Sequence, residues 1–136
     1  MSNRPVTEPA FFILAALVEA PRHGYAIVGE VAELSEGRVQ LKIGTLYGVL
    51  DRLVGEGLVE PDREEVWQGR LRRYYRLTDS GGQCLAAEAQ RQAANARVAS
   101  DRLGHPYSAR YSASSELSVA TLSRNAATIS SSHAAR

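Results

Sequence analysis

The chain of 136 residues lacks most of what several common kinds of protein are built from. A single cysteine, Cys84, excludes an intrachain disulfide framework and any cysteine-rich zinc site, and it fits a reducing compartment. The histidines at 23, 105 and 133 are scattered, without the spacing to one another or to carboxylates that a metal centre uses. There is no glycine-rich phosphate loop and no Ser/His/Asp set with a recognisable elbow. No catalytic residue, metal or cofactor is therefore expected, and the chain does not read as an enzyme. No apolar run approaches the roughly 20 residues of a membrane-spanning helix, so no membrane partner is expected. A surplus of one charge is also missing. Sixteen basic residues face fifteen acidic ones, a formal charge of +1, which points to neither nucleic acid nor a membrane surface.

What remains is the profile of one ordinary soluble domain, 44% hydrophobic and 23% charged, long enough for one core. The stretch from Ala10 to Val18 imitates a secretory signal, but Glu8 and Glu19 bracket it, and only Arg4 precedes it with positive charge. It reads as a first core helix, and the expected location is the cytoplasm, at the nucleoid.

Composition changes near Leu103. From Gly104 to Arg136 there are nine Ser and seven Ala in 33 residues, with one acid and three Arg. Such a segment cannot bury enough apolar surface to offset ordering, so 104–136 is expected to be a flexible tail, with at most a short helix at 116–124. Before it, Thr7 and Pro9 start a helix whose buried stripe (Phe12, Ile13, Ala16, Leu17) runs to about Glu19. A second helix over Tyr25–Ser35 carries Ile27, Val28, Val31 and Leu34. Val39–Leu41 alternates like a short strand, and a third helix runs from Gly44 to Glu56 and stops at Gly57. The period then switches to two: a strand from Leu58, a turn at Gln68-Gly69, and a return strand over Leu71–Leu77. Thr78, Asp79 and Ser80 offer caps for a long alanine-rich helix to about Leu103. This order predicts a mainly α fold with a small β-hairpin: a winged helix-turn-helix over 1–78, a long dimerisation helix over 79–103, and the tail.

The third helix gathers Leu46, Val49, Leu50, Leu53 and Val54 on one face. The other face presents Thr45, Gly48, Asp51, Arg52 and Gly55, with Tyr47 at its edge. A helix docking in a DNA major groove needs such an apolar back, and a front of small residues with a few donors. Taken alone, the helix reads rather as an ordinary amphipathic surface helix. The hairpin adds Arg70, Arg72, Arg73 and Arg76 within seven residues, where arginine can grip phosphates or enter a minor groove. By alternation Arg70, Arg72, Tyr74 and Arg76 share one face, while Leu71, Arg73, Tyr75 and Leu77 share the other, whose Leu and Tyr can be buried. The preceding strand holds Glu60, Asp62, Glu64 and Glu65, so cross-strand ion pairs compete for these arginines. That competition divides Arg73 and Arg76 evenly between the two roles, whereas Arg70 and Arg72, beside the turn, favour DNA. Trp67 is read as wing-root packing, with stacking on a sugar or base as the alternative. Arg22 and Lys42 flank two helix starts, where they would meet phosphates.

Three segments resemble the PadR family of bacterial transcriptional regulators: Leu14–Ile27, Gly44–Leu53 with Gly57-Leu-Val59, and Arg72–Gly81. The likeness spans roughly residues 7–103. It implies an N-terminal winged helix, a C-terminal dimerising helix, and repression of a target operon relieved by a small effector of unknown identity. It also implies recognition through Thr45, Tyr47 and Arg52 and a wing using Arg70 and Arg72. The chain departs from the family at Gly48, where proline is common. It departs again over Thr78–Leu103, which holds no Phe, Trp or Tyr to line a drug-binding pore.

In the long helix Leu85, Ala89, Gln92, Ala96, Ala99 and Leu103 recur every three or four residues, a stripe whose small side chains allow a second helix to approach. It predicts a homodimer, with this helix packed on its mate and on the first helix. The two-fold axis would set the reading helices about 34 Å apart on a near-palindromic duplex. The competing reading is a winged-helix module that binds protein through the same face. Cys84 opens this helix as a small buried or semi-buried residue rather than a redox switch.

Overall fold

Thr7 sets the first helix in place: its backbone is extended and its hydroxyl oxygen accepts the Ala10 N–H at 3.3 Å. In the computed structural model, which describes residues 5–104, helix α1 covers Glu8–Ala16. It ends earlier than its apolar pattern suggests, because the amides of Leu17 and Val18 bond three residues back and tighten the last turn. The elements that follow are β1 (Arg22–His23), α2 (Gly24–Leu34), α3 (Ile43–Gly55), β2 (Val59–Trp67), β3 (Arg70–Leu77) and α4 (Asp79–Leu103). This is the winged helix-turn-helix with a long C-terminal helix that the pattern predicts. The tail expected over 104–136, apart from Gly104, lies outside the described residues, with its short helix, His105 and His133.

The core joins α1 (Ala10, Ile13, Leu14, Ala16), α2 (Ile27, Val31), α3 (Leu46, Leu50, Leu53), Leu17, Val39, Val59 and Tyr75. Phe12 is only half-buried, with the Arg38 guanidinium over its ring, and Leu34 is exposed although Ser35 beside it is buried. The expected strand at 39–41 does not form. Ser35, fully buried at the end of α2, accepts the Val39 N–H at 2.9 Å, so that amide is taken up by a loop rather than a ladder. The third strand is instead β1, two residues that pair antiparallel with Tyr75 and Tyr74. The sheet order is β1-β3-β2.

The β2–β3 hairpin turns at Gln68 and Gly69, both with positive φ, the geometry a two-residue hairpin turn requires. A bulge lies between Pro61↔Tyr75 and Glu64↔Arg73, so Asp62 and Arg63 together oppose Tyr74. The hairpin outruns the core. Tyr75 is buried, but Leu71, expected to be buried on the same face, is 55% exposed, because no helix lies beneath the tip.

Thr78 fastens the wing to α4: its amide bonds the Leu58 carbonyl at 3.1 Å and its hydroxyl accepts the Gly81 N–H at 2.9 Å. Gly81 must be glycine, since a Cβ there would stand 2.1 Å from the Leu58 carbonyl oxygen. Cys84 and Leu85 rest on the core, and Glu88 is the last buried residue of the helix. From Ala89 to Leu103 its side chains are almost all exposed.

Candidate nucleic-acid interface

Helix α3 divides as its sequence predicts. Leu46, Leu50 and Leu53 are buried, with Val49 and Val54 half-buried beside them, while Thr45, Gly48, Asp51, Arg52 and Gly55 face solvent. Lys42 occupies the N-cap position, exposed, and makes no side-chain cap there. Tyr47 is tied into the fold at the edge of this face. Its ring lies 6.4 Å from that of Tyr75 and packs on Gly24, where a Cβ would come within 2.5 Å of the Tyr47 hydroxyl. Burial, and then Tyr75, push the Tyr47 phenol above its usual range, while Arg73 opposes them.

The wing sorts its cations. Arg76 Nε donates to Glu60 at 2.9 Å and its Nη1 to Asp62 at 3.0 Å. Arg73 lies 3.5 Å from Glu64, with both side chains more than half exposed. Arg63, from the bulge, lies over the Tyr74 ring at 3.8 Å and also reaches Asp62 and Glu65. Arg72 lies over Trp67 at 3.9 Å. Among the described residues no ion pair joins Arg70, Arg72, Arg52 or Lys42 to a carboxylate. Trp67 therefore sits next to the turn as a platform for arginine, 46% exposed, and not at the wing root.

Arg22 has an internal task. Its Nε donates to the Ala16 carbonyl at 2.7 Å and its Nη2 lies 3.7 Å from Glu30, so it closes the end of α1 onto β1 and α2. Expected at a phosphate, it is half-buried and already bonded. His23 stands at the N-cap position of α2 without a side-chain cap bond and packs edge-on to Tyr74 at 5.3 Å. Burial, then Arg72, lower its pKa, and Glu65 pulls the other way.

A groove joins these parts. His23, Tyr25, Tyr47, Trp67, Arg70 and Arg72 line it between the start of α2, the edge of α3 and the wing tip, and none of its walls carries a carboxylate. The use of Trp67 and Tyr74 as arginine platforms escapes sequence reading, because alternation gives the strand face and not the diagonal neighbour. Arg63 is missed because only the bulge turns it onto Tyr74. At the opposite end of α3, Arg52 borders a second cavity with Leu53, Glu56, Gln83 and Cys84. Burial first, then Glu88 and Glu56, push the Cys84 thiol up, which disfavours the reactive thiolate. The stripe Leu85, Ala89, Ala96, Ala99 and Leu103 begins on the core at Leu85 and is exposed from Ala89 onward.

Among the described residues no group of three or more His, Cys, Asp and Glu could hold a metal ion, and no helix is long and apolar enough to cross a membrane.

Comparison with known proteins gives a consistent result. The model of the transcriptional regulator PadR-like family matches residues 13–87. An uncharacterised protein of Lysinibacillus sphaericus is 36% identical over 69 residues, 51% of this chain and 63% of that protein. An uncharacterised 37.1 kDa protein in a Streptomyces fradiae transposon is 41% identical over 81 residues, 60% of this chain but 22% of that protein. The chain thus spans less than two thirds of either curated relative. Among solved structures, a PadR family transcription regulator from Clostridium difficile is 27% identical with a TM-score of 0.58, over 72% of this chain and 100% of that one. Bacillus subtilis PadR, solved in complex with operator DNA, is 28% identical with a TM-score of 0.51, over 57% of this chain and 44% of that one.

Proposed function

Since this chain belongs to the PadR-like family, whose members are transcription regulators and not enzymes, we propose that it acts as a homodimeric repressor, reading duplex DNA with α3 and gripping it with the β2–β3 wing. The observation that carries this reading is the sorting of the wing's charge. Arg76 and Arg73 are held by carboxylates, while Arg70 and Arg72 remain unneutralised beside a groove without acids that leads to α3. A molecule with almost no net charge can bind a polyanion only if its cations are concentrated in this way.

In this reading Thr45 and Arg52 face base edges and Tyr47 borders them. Lys42, Arg70 and Arg72 face phosphates, and Arg73 could join them only by giving up Glu64. The complex of Bacillus subtilis PadR with operator DNA supports that placement by analogy of fold. The stripe Leu85, Ala89, Ala96, Ala99 and Leu103 is the dimer face, and a near-palindromic operator follows from two-fold symmetry. Repression is relieved by a small effector, as the family resemblance implies, and the protein works in the cytoplasm at the nucleoid.

The competing reading, a winged module that binds protein, draws on the exposed wing pair Val66 and Leu71. A salt series separates the two. A DNA reader loses affinity on a log–log slope of about −0.9 per phosphate contacted. Arg72→Ala should weaken binding to all sequences alike, whereas Arg52→Ala should cost about 1–3 kcal/mol and also relax base preference. Parental binding by both variants would refute the site assignment.

A further inference from the structure

Of the arginines on the wing, Arg72 is held in an unusual way. Its cross-strand partner is Glu65, the obvious carboxylate to neutralise it. Glu65 is turned to other donors: the Tyr74 hydroxyl donates to it at 3.0 Å and Arg63 Nε at 3.5 Å. Arg72 instead lies with its guanidinium carbon 3.9 Å from the centre of the Trp67 ring. Stacking holds a guanidinium by its face and leaves its N–H donors in the plane, pointing outward. Those donors border the groove between the wing tip and the start of α2, whose lining contains no acid to compete with an incoming anion. A long, flexible side chain is thereby fixed before it binds, which removes part of the ordering cost of the contact.

We infer that Trp67 is a positioning residue for phosphate recognition: its indole face presents the Arg72 guanidinium to a backbone phosphodiester of duplex DNA lying in this groove. The inference rests on the DNA-binding reading above. It assigns the contact energy to Arg72 and makes Trp67 act only through it.

The test is a double-mutant cycle read by anisotropy of labelled, sheared genomic duplex of mixed sequence, which suffices because phosphate contacts are independent of sequence. Arg72→Ala should bind on the order of tenfold more weakly, with the salt slope shallower by about 0.9 for each of the two subunits. Trp67→Ala should bind about threefold more weakly with its slope unchanged, and Trp67→Phe should restore most of the loss. The double variant should match Arg72→Ala alone. Trp67 is the only tryptophan, so intrinsic emission reports the stack directly. It should change in free Arg72→Ala and when duplex is added to the parent. Additive losses would show Trp67 acting on its own and overturn the inference. So would a Trp67→Phe variant as weak as Trp67→Ala, or emission indifferent to Arg72→Ala. Failure of the parent itself to bind duplex would overturn the DNA reading, and this inference with it.

Discussion

The hydroxyl of Thr78 donates to the carbonyl of Gly57 at 2.7 Å, and the same oxygen accepts the Gly81 N–H. One side chain thus joins the turn that follows α3, the end of the wing and the first turn of α4. Thr78→Ala removes an N-cap and leaves the Gly57 carbonyl without this donor. Denaturant unfolding should show a loss of about 1–2 kcal/mol, and Thr78→Ser should recover most of it. A loss within error for Thr78→Ala would mean that solvent replaces both bonds.

Ser35 does for the α2–α3 connection what Thr78 does for the wing. It is fully buried and accepts the Val39 amide, next to the left-handed pair Glu36 and Gly37. Ser35→Ala conserves volume closely but leaves a buried N–H without its acceptor, so about 1–3 kcal/mol of stability should be lost. The angle between α2 and α3 depends on this loop, so DNA affinity should fall further than stability alone explains. Unfolding and duplex titration on the same preparation compare the two. A destabilised variant with unchanged affinity would show that the bond serves the fold only.

Much of this architecture is legible in the sequence because it depends on periodicity and punctuation. The apolar back of α3, the Gly57 stop, the Gln68-Gly69 turn and the cap at Thr78 all announce themselves that way. β1 does not, since two residues carry no period, and its pairing with Tyr74 and Tyr75 is a purely tertiary event. The 39–41 alternation misleads for the opposite reason: it is real, but Ser35 has taken the amide a ladder would need. At the candidate site the arginines are visible as residues, while their partners are not. Arg22 reads as a free cation until the fold brings the Ala16 carbonyl to it. Glu65 stands opposite Arg72 in the register, a pairing no sequence pattern shows, and the bulge delivers Arg63 to it instead.

The surroundings of His23, in the short strand that pairs the wing with the start of α2, predict a pH-dependent stability. Burial, reinforced by Arg72, lowers its pKa below the ordinary value of about 6.5, while Glu65 opposes and Tyr74 covers one edge. The folded state therefore holds this proton less tightly than the unfolded chain does. Above the ordinary value both states are neutral and His23 contributes no pH dependence. As pH falls below it, the unfolded chain takes up the proton first and stability drops, until the folded pKa is passed. Melting temperatures measured from pH 8 to pH 5 should fall more steeply for the parent than for His23→Gln. Parallel curves would place His23 in a solvent-like environment.

The last prediction concerns α4, whose stripe at Ala96, Ala99 and Leu103 is exposed in the single chain. Exposed alanines cost nothing in water, so their arrangement has consequences only if another helix packs there. Ala96→Glu would place a carboxylate at that contact twice, once from each subunit, and neither has a partner to neutralise it. Light scattering behind gel filtration should show the parent as a dimer and Ala96→Glu shifted to monomer, with the dimer dissociation constant raised about tenfold or more. Ala94→Glu, on the opposite side of the helix, should stay dimeric. Duplex affinity should track the dimer, because two half-sites read by separate subunits lose their mutual gain in effective concentration. If Ala96→Glu remains a dimer while Ala94→Glu dissociates, the helix pairs through its other face. The spacing of the two α3 helices would then have to be worked out again from that geometry.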